Sequence, residues 1–308
     1  MQEPCRGPPG HQNCTWARSG RARQAPRSNT SHRHPPGPAS SHPPASRRRT
    51  PTPLTPTHPT APAAFTDAEA ARLALRCLDL TSLRDDDSAA SIRALAARAA
   101  TPHGAPAALC IYPAWLGVAR EALDAQGLAA VRLATVVDFP HGGGDPVAVA
   151  ADTARAIADG ADEIDLVFPW RALLAGDTGA GERMVAAVRA ACGPGVPLKV
   201  ILETGELGEP ALIDRASRIA LAAGADFLKT STGKASRHAS PAAVAVMLEA
   251  IVATGTRAGL KVAGGVAGIA EVQTYLALAA TVYGRDGLGP ATLRFGASGL
   301  LPVLLAVL

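Results

Sequence analysis

The sequence has no cysteine arrangement typical of a disulfide framework or a zinc site. Its five cysteines are an odd number, and none of them form a CxxC pair. Free thiols of this kind are typical of a reducing compartment. The histidines beyond residue 64 are scattered at His103, His141 and His238, so the sequence predicts no metal site and no metal cofactor.

Long apolar runs are also missing. The N-terminal residues contain no secretory signal core, and the apolar stretch LLPVLLAVL at 300–308 is too short to cross a bilayer. We therefore expect no membrane association. The high use of alanine, arginine and glycine is typical of a GC-rich genome, which favours a bacterial, cytoplasmic protein.

Acidic residues are almost absent from residues 1–64, which hold Glu3 beside nine arginines and 14 of the 26 prolines. The net charge of +4 thus comes from this segment, and the net acidic remainder argues against nucleic-acid binding. Without apolar periodicity the segment cannot offset its ordering entropy, which predicts a disordered tail. Alternatives are an organelle transit peptide, a basic docking site at RRRTP, glycosylation at NCT or NTS, and an extension upstream of the true start.

Residues 65–308 have the length of one (β/α)8 barrel. Short apolar runs that end in polar, glycine or proline residues alternate with helical stretches rich in alanine and arginine. Eight strands are predicted, at 75–81, 107–113, 131–140, 162–169, 198–204, 226–232, 260–265 and 293–298. A closed parallel sheet is the simplest arrangement of such a pattern.

An internal repeat supports this interpretation. Gly-Ala-Asp occurs at 160–162 and again at 224–226, two βα units apart, each time between a helical stretch and a strand. Glycine at such a junction is typical of a left-handed helix cap. The repeat fixes where two strands begin, and therefore which residues lie at their carboxyl ends, although similar junctions occur in other α/β proteins.

The carboxyl ends of the strands are where a barrel carries its active site, and here they are polar. Lys229 and Lys261 end neighbouring strands, and Asp165 ends an earlier one. Burial and a second ammonium group lower the pKa of a lysine, which makes the free amine available to attack a carbonyl. Lys229 is thus a candidate Schiff-base nucleophile and Asp165 a proton carrier. The alternative is a structural ion-pair network.

Two glycine-rich turns follow the last two predicted strands and lead into helices. They contain Gly264 and Gly265 in AGGVAG, and Gly296 and Ser298 in FGASG. Backbone N–H groups at such turns favour a phosphate, and these are the usual phosphate loops of the fold. Lys234 in TSTGK adds a cation.

These motifs resemble those of the deoxyribose-phosphate aldolases. LDLTSLRDDD, CIYP, ATVVDFPHG, GADEIDLVFPWRALLAGD, LKVILETGEL, AGADFLKTSTGK, GLKVAGGV and RFGASGLL occur in that family's order, from about residue 68 onward. The resemblance implies a barrel enzyme without a cofactor that cleaves 2-deoxy-D-ribose 5-phosphate to acetaldehyde and D-glyceraldehyde 3-phosphate, reversibly. Residues 1–64 have no counterpart.

The resemblance also implies roles for individual residues. Lys229 resembles the Schiff-base lysine, Lys261 the lysine that lowers its pKa, and Asp165 the proton relay. The substrate contacts implied are Asp79, Thr81, Cys110 and Thr230, and the phosphate contacts are Lys234, Gly264, Gly265, Gly296 and Ser298. Gly299 stands where relatives commonly have a second serine, which removes one hydroxyl contact to phosphate.

Other functions remain open on the sequence. A different lysine-dependent barrel aldolase would share the lysine and phosphate features but use ketone donors. A barrel isomerase would use acid–base catalysis alone. A non-catalytic barrel would bind a partner through its basic tail. The expected partners are a small phosphorylated sugar and acetaldehyde, with a homodimer as a candidate assembly.

Overall fold

The computed structural model describes residues 64–308, which form a closed barrel of eight parallel strands. Each strand pairs with the next, and the last pairs with the first. The predicted (β/α)8 barrel is confirmed. The predicted tail lies, apart from its last residue, outside the described residues.

The strands are short, and helices separate them along the chain. The strands are β1 (Leu78–Thr81), β2 (Ala108–Ile111), β3 (Arg132–Val137), β4 (Glu163–Val167), β5 (Leu198–Ile201), β6 (Phe227–Lys229), β7 (Gly259–Ala263) and β8 (Leu293–Ala297). The α-helices are α1 (Asp67–Arg76), α2 (Ala89–Arg98), α3 (Leu116–Asp124), α4 (Pro146–Ala158), α5 (Trp170–Leu174), α6 (Gly179–Cys192), α7 (Thr204–Leu207), α8 (Pro210–Ala222), α9 (Pro241–Thr254), α10 (Ile269–Tyr283) and α11 (Leu300–Val307).

Several helices begin at side chains that satisfy free backbone N–H groups. Thr66 forms a capping box with Glu69 at the start of α1. The Asp145 carboxylate accepts hydrogen bonds from two N–H groups of α4, whose first residue is proline. Ser240 caps α9 in the same way, again with proline next. These signals explain why the helix starts follow the sequence pattern.

The repeated Gly-Ala-Asp junction has one structure in both places. Gly160 and Gly224 have φ values of +102° and +98°, a conformation that favours glycine. The aspartate that follows accepts a hydrogen bond from the backbone N–H of a residue on the preceding strand. Asp162 accepts it from Leu133, and Asp226 from Leu198, both at 2.8 Å. The junction therefore turns the chain and also ties each new strand to its neighbour.

The predicted strands were too long at several ends. In β5 the strand stops at Ile201, and Glu203 has a left-handed φ of +56° before α7 begins at Thr204. Strand β6 stops at Lys229, so the three residues after it belong to a loop. The Glu203 carboxylate holds this loop by accepting hydrogen bonds from the backbone N–H and the hydroxyl of Thr232.

The core between sheet and helices is apolar, whereas the inside of the barrel is divided. Inward side chains of β2 and β3 are small or apolar: Ala108, Cys110, Ala134 and Val136 form one cluster with Leu83. The inward positions of the other strands carry buried charged groups. A barrel interior normally holds branched apolar side chains, so these charges need an explanation beyond packing.

Candidate active site

Seven buried charged side chains from six strands meet inside the barrel, and we call them the charge network. Its members are Asp79, Glu163, Asp165, Lys199, Lys229, Lys261 and Arg294. Side chains two residues apart on a strand share a face, which places both Glu163 and Asp165 of β4 inside. Buried charges require partners, and every member of the network has at least one.

Asp165 lies at the centre of the network and accepts from three lysines. The Nζ atoms of Lys229 and Lys261 each lie 2.7 Å from Oδ2, and that of Lys199 lies 2.7 Å from Oδ1. Burial opposes ionisation of this carboxyl, but the three ammonium groups outweigh it and hold its pKa well below the usual range. Asp165 is therefore ionised at neutral pH.

Lys229 differs from the other two lysines in the direction of its pKa. Burial is the main cause that lowers its pKa, and the charge of Lys261 lowers it further, although Asp165 opposes both. Burial also acts on Lys261 and Lys199, but neighbouring carboxylates outweigh it there and raise both values. The network therefore favours loss of a proton at Lys229.

A second set of ion pairs lies deeper in the barrel. Arg294 donates to Asp79 at 2.6 Å and to Glu163 at 2.7 Å, and Lys199 Nζ lies 2.7 Å from Glu163 Oε2. Lys261 Nζ lies 2.5 Å from Asp79 Oδ2. The two sets are thus continuous from the barrel mouth to its base.

The charge balance of the network supports the same conclusion. It contains four basic groups and three carboxylates, so it carries an excess positive charge when all seven are ionised. The pKa values of Lys199, Lys261 and Arg294 are raised, and that of Lys229 alone among the four bases is lowered. Loss of the Lys229 proton makes the buried network neutral, which low-dielectric surroundings favour.

The predicted substrate contacts lie around this centre. The Cys110 thiol lies 3.9 Å from Asp165 Oδ2, and burial raises its pKa, so it is a neutral thiol. Thr81 donates to the Asp79 carbonyl at 2.7 Å and is only partly buried. The Thr230 hydroxyl is fully engaged with β7: it donates to the Ala263 carbonyl at 3.1 Å and accepts from its N–H at 2.9 Å.

Four of the five predicted phosphate contacts share one cleft. Gly264, Gly265, Gly296 and Ser298 line a cleft of ≈ 360 Å³ together with Thr81. The helices that start beside it, α10 and α11, have glycine N-caps that make no side-chain hydrogen bond to the helix. Their first N–H groups therefore lack a side-chain cap and can bind an anion.

Lys234 lies elsewhere. It lines a different cleft, of ≈ 280 Å³, together with His141, Arg171 and Glu206. Its Nζ lies 3.7 Å from Oδ1 of Asp85, in the loop after β1. The structure does not bring Lys234 to the glycine cleft, and its predicted contact with phosphate stays a prediction.

A family model described as DeoC/LacD family aldolase matches residues 73–299. The chain belongs to this family. It is 50% identical over 240 residues to the deoxyribose-phosphate aldolase of Agrobacterium fabrum (strain C58 / ATCC 33970), covering 78% of this chain and 92% of the relative.

Solved structures share the fold of this chain, which belongs to the DeoC/LacD aldolases, a family of carbon–carbon lyases. A protein of Toxoplasma gondii ME49, provisionally named deoxyribose-phosphate aldolase, has a TM-score of 0.71 and 28% identity, over 78% of this chain and 94% of that one. A deoxyribose phosphate aldolase from Aeropyrum pernix has a TM-score of 0.60 and 24% identity, over 78% and 92%, and shows the fold alone.

Sequence reasoning about this aldolase missed Lys199 and Arg294. The prediction considered polar residues at strand ends, whereas these two are the second residues of β5 and β8. A signal was available, since leucine precedes a basic residue in four consecutive strands, at 198–199, 228–229, 260–261 and 293–294. Buried strands that repeat a leucine and a basic residue predict several cations inside one barrel.

Across residues 64–308, none of the helices combines the length and the apolar character needed to cross a membrane. Within the same range, no group of three or more His, Cys, Asp or Glu side chains is arranged to hold a metal ion.

Proposed function

We propose that this protein cleaves 2-deoxy-D-ribose 5-phosphate reversibly to acetaldehyde and D-glyceraldehyde 3-phosphate, through a Schiff base at Lys229. This reaction belongs to the breakdown of deoxyribose phosphates derived from deoxyribonucleotides. The observation that carries the proposal is the position of Lys229. Its pKa is lowered, and its Nζ lies 2.7 Å from an ionised carboxylate, Asp165. The 50% identical aldolase supports the choice of substrate.

In the proposed cleavage the neutral Lys229 amine adds to the C1 aldehyde of the open-chain sugar, and loss of water gives a cationic imine. Removal of the C3 hydroxyl proton forms the glyceraldehyde carbonyl as the C2–C3 bond breaks. The electron pair of that bond moves to the imine nitrogen, which gives an enamine. Protonation at C2 and addition of water then release acetaldehyde and free Lys229.

Asp165 and Lys261 are proposed to move the protons of these steps, through an ordered water. Both groups lie beside the Lys229 amine, because Lys229 and Lys261 each contact Oδ2 of Asp165. Formation of the cationic imine places a positive charge next to the Asp165 carboxylate, which stabilises the imine. Cys110 lies on the same side and is proposed to line the acetaldehyde end, with Asp79, Thr81 and Thr230 around it.

The phosphate is proposed to bind the cleft formed by Gly264, Gly265, Gly296 and Ser298. Thr81 lines this cleft and donates to the carbonyl of Asp79, so the cleft and the charge network adjoin. We propose that one substrate spans from this cleft to Lys229. Lys234 is proposed as a further cation for the phosphate only if its loop turns away from Asp85.

Borohydride trapping with acetaldehyde tests the proposal. A two-carbon adduct should appear on the peptide that carries Lys229, and Lys229→Ala should lose both the adduct and the cleavage of deoxyribose 5-phosphate. Arg218→Ala is a matched control, because Arg218 pairs with Asp214 on α8, away from the charge network. Labelling and cleavage that survive in Lys229→Ala would show that the assignment is wrong.

The family description covers more than one aldolase, so the donor needs its own test. We expect condensation of glyceraldehyde 3-phosphate with acetaldehyde and little with dihydroxyacetone. The reverse preference would favour the alternative, a lysine-dependent aldolase that uses ketone donors. A homodimer and a cytoplasmic location stay predictions.

A further inference from the structure

A second cavity opens at the opposite mouth of the barrel, where the strands begin. Its volume is ≈ 550 Å³, and it includes Arg132, Glu163 and Phe227, the first residues of β3, β4 and β6. Asp226, Arg257, two residues before β7, and Arg294 of β8 complete its charged lining. This end of a barrel ordinarily contributes to stability, so a basic cavity here is unexpected.

The floor of the cavity is the base of the charge network. The side chains of Arg294 and Glu163 are 5% and 1% exposed, and they pair at 2.7 Å. Arg294 also donates from Nε to the Pro290 carbonyl at 2.5 Å, and its Cζ lies 5.8 Å from the centre of the Phe227 ring. Several contacts therefore fix this guanidinium before any ligand arrives.

Two further arginines at the rim have little to bind within residues 64–308. The Arg132 side chain is 52% exposed, and its nearest acidic atom, Glu163 Oε1, is 3.7 Å away, which is beyond a hydrogen bond. Arg257 is exposed and has no ion pair or side-chain hydrogen bond to any residue from 64 to 308. Both guanidinium groups thus keep free donors.

A structural explanation for such arginines would be the helix ends nearby. Helices α6, α8 and α9 end at this face, and their last carbonyl groups favour cations. Arg189 of α6 is engaged at this face: it donates to the carbonyls of Gly193 and Val196, just after the end of α6, and pairs with Asp226. Arg257 follows α9 yet donates to none of its carbonyls, so the helix ends do not account for it.

We propose that this cavity binds a small phosphate-bearing ligand, separate from the substrate. Guanidinium groups pair with phosphate through two parallel hydrogen bonds, and the free donors of Arg132 and Arg257 can bind a terminal phosphate in this way above the buried Arg294. Of the two acidic residues in the lining, Glu163 is paired with Arg294, and Asp226 is neutralised by Arg189. The excess positive charge at the rim thus fits an anion.

Arginine labelling in the full chain tests this site locally. Phenylglyoxal reacts with exposed arginines, and peptide mapping follows each of them. Pyrophosphate, at constant ionic strength, should slow labelling of Arg132 and Arg257 about tenfold, whereas Arg218, exposed on α8, should react at the same rate. Because the readout is local, pyrophosphate bound in the glycine cleft does not affect the conclusion.

Calorimetric binding of pyrophosphate supplies the second measurement. Arg257→Ala should bind about tenfold more weakly at one site than Arg218→Ala, the matched control. Arg257 makes no ion pair or side-chain hydrogen bond to the described residues, so this variant should fold normally, which thermal unfolding checks. Unchanged labelling of Arg257 with millimolar pyrophosphate, or equal binding by the two variants, would overturn the proposal.

Discussion

Replacing Lys261 with methionine should raise the pKa of Lys229 and remove most of its free amine at neutral pH. Both Nζ atoms lie 2.7 Å from Oδ2 of Asp165, so they are at most about 5.4 Å apart. At an effective dielectric constant of about 20, two like charges at this distance repel by about 3 kcal/mol. Because about 1.4 kcal/mol is a factor of ten, the neutral fraction of Lys229 should fall about a hundredfold.

The assay is the rate of reductive trapping with acetaldehyde, measured over a series of pH values. Lys261→Met should trap about a hundredfold more slowly than wild type at neutral pH, and the rate should recover as the pH rises and Lys229 loses its proton. Lys199→Met is the matched comparison. Lys199 contacts Oδ1 of Asp165, whereas Lys261 shares Oδ2 with Lys229, so loss of Lys199 should have a smaller effect.

Two results would refute this reasoning. An unchanged trapping rate at neutral pH would show that Lys261 does not control the charge of Lys229. A loss of the same size at every pH would show that Lys261 acts by proton transfer and not through its charge. Thermal unfolding above the assay temperature must first establish that the variant is folded.

Four further substitutions should change stability or substrate binding. Lys229→Met should unfold at a higher temperature than wild type at neutral pH. Burial lowers the pKa of Lys229 in the folded state below its value in the unfolded state, so wild-type stability rises with pH between these two pKa values. The difference in unfolding temperature between the variant and wild type should therefore shrink as the pH approaches about 10.4. Gly181→Ala should destabilise the fold by about 1–3 kcal/mol, because an added Cβ overlaps the Phe168 ring. Gly117→Ala has open space for its Cβ in α3 and should stabilise the fold by about 0.5–1 kcal/mol. Urea unfolding measures both changes in stability. Gly264→Ala, at a φ of +78°, should raise KM for deoxyribose 5-phosphate more than for unphosphorylated deoxyribose in steady-state assays.

The barrel was predictable because each level of the sequence agrees with it. Caps such as Thr66 and Asp145 mark helix starts, and the Gly-Ala-Asp junction marks strand starts. The strand ends were not predictable to the residue. Whether the residues after Lys229 continue to pair with β5 depends on where β5 ends, and the sequence around Lys229 does not carry that information.

Only the part of the candidate site near the barrel mouth could be predicted from the sequence. Lys229 and Lys261 are register partners on adjacent strands, so knowledge of the strand ends was enough to place them together. The contact between Arg294 and Glu163 joins residues 131 apart in the sequence and lies nearer the base of the barrel. The period-two pattern shows which face of a strand a residue lies on, but not how deep in the barrel it lies. The direction of Lys234 depends on a loop whose contacts with Asp85 come from another part of the chain.

The continuity of the charge network has a consequence for how the sequence can evolve. Loss of Glu163 alone leaves a buried guanidinium and a buried ammonium group with one partner fewer each, at Arg294 and Lys199. Loss of Arg294 alone leaves two buried carboxylates, Asp79 and Glu163, with one partner fewer each. Single substitutions at these positions should therefore be rejected, whereas compensating pairs should be tolerated. Related sequences should accordingly differ at these positions in pairs.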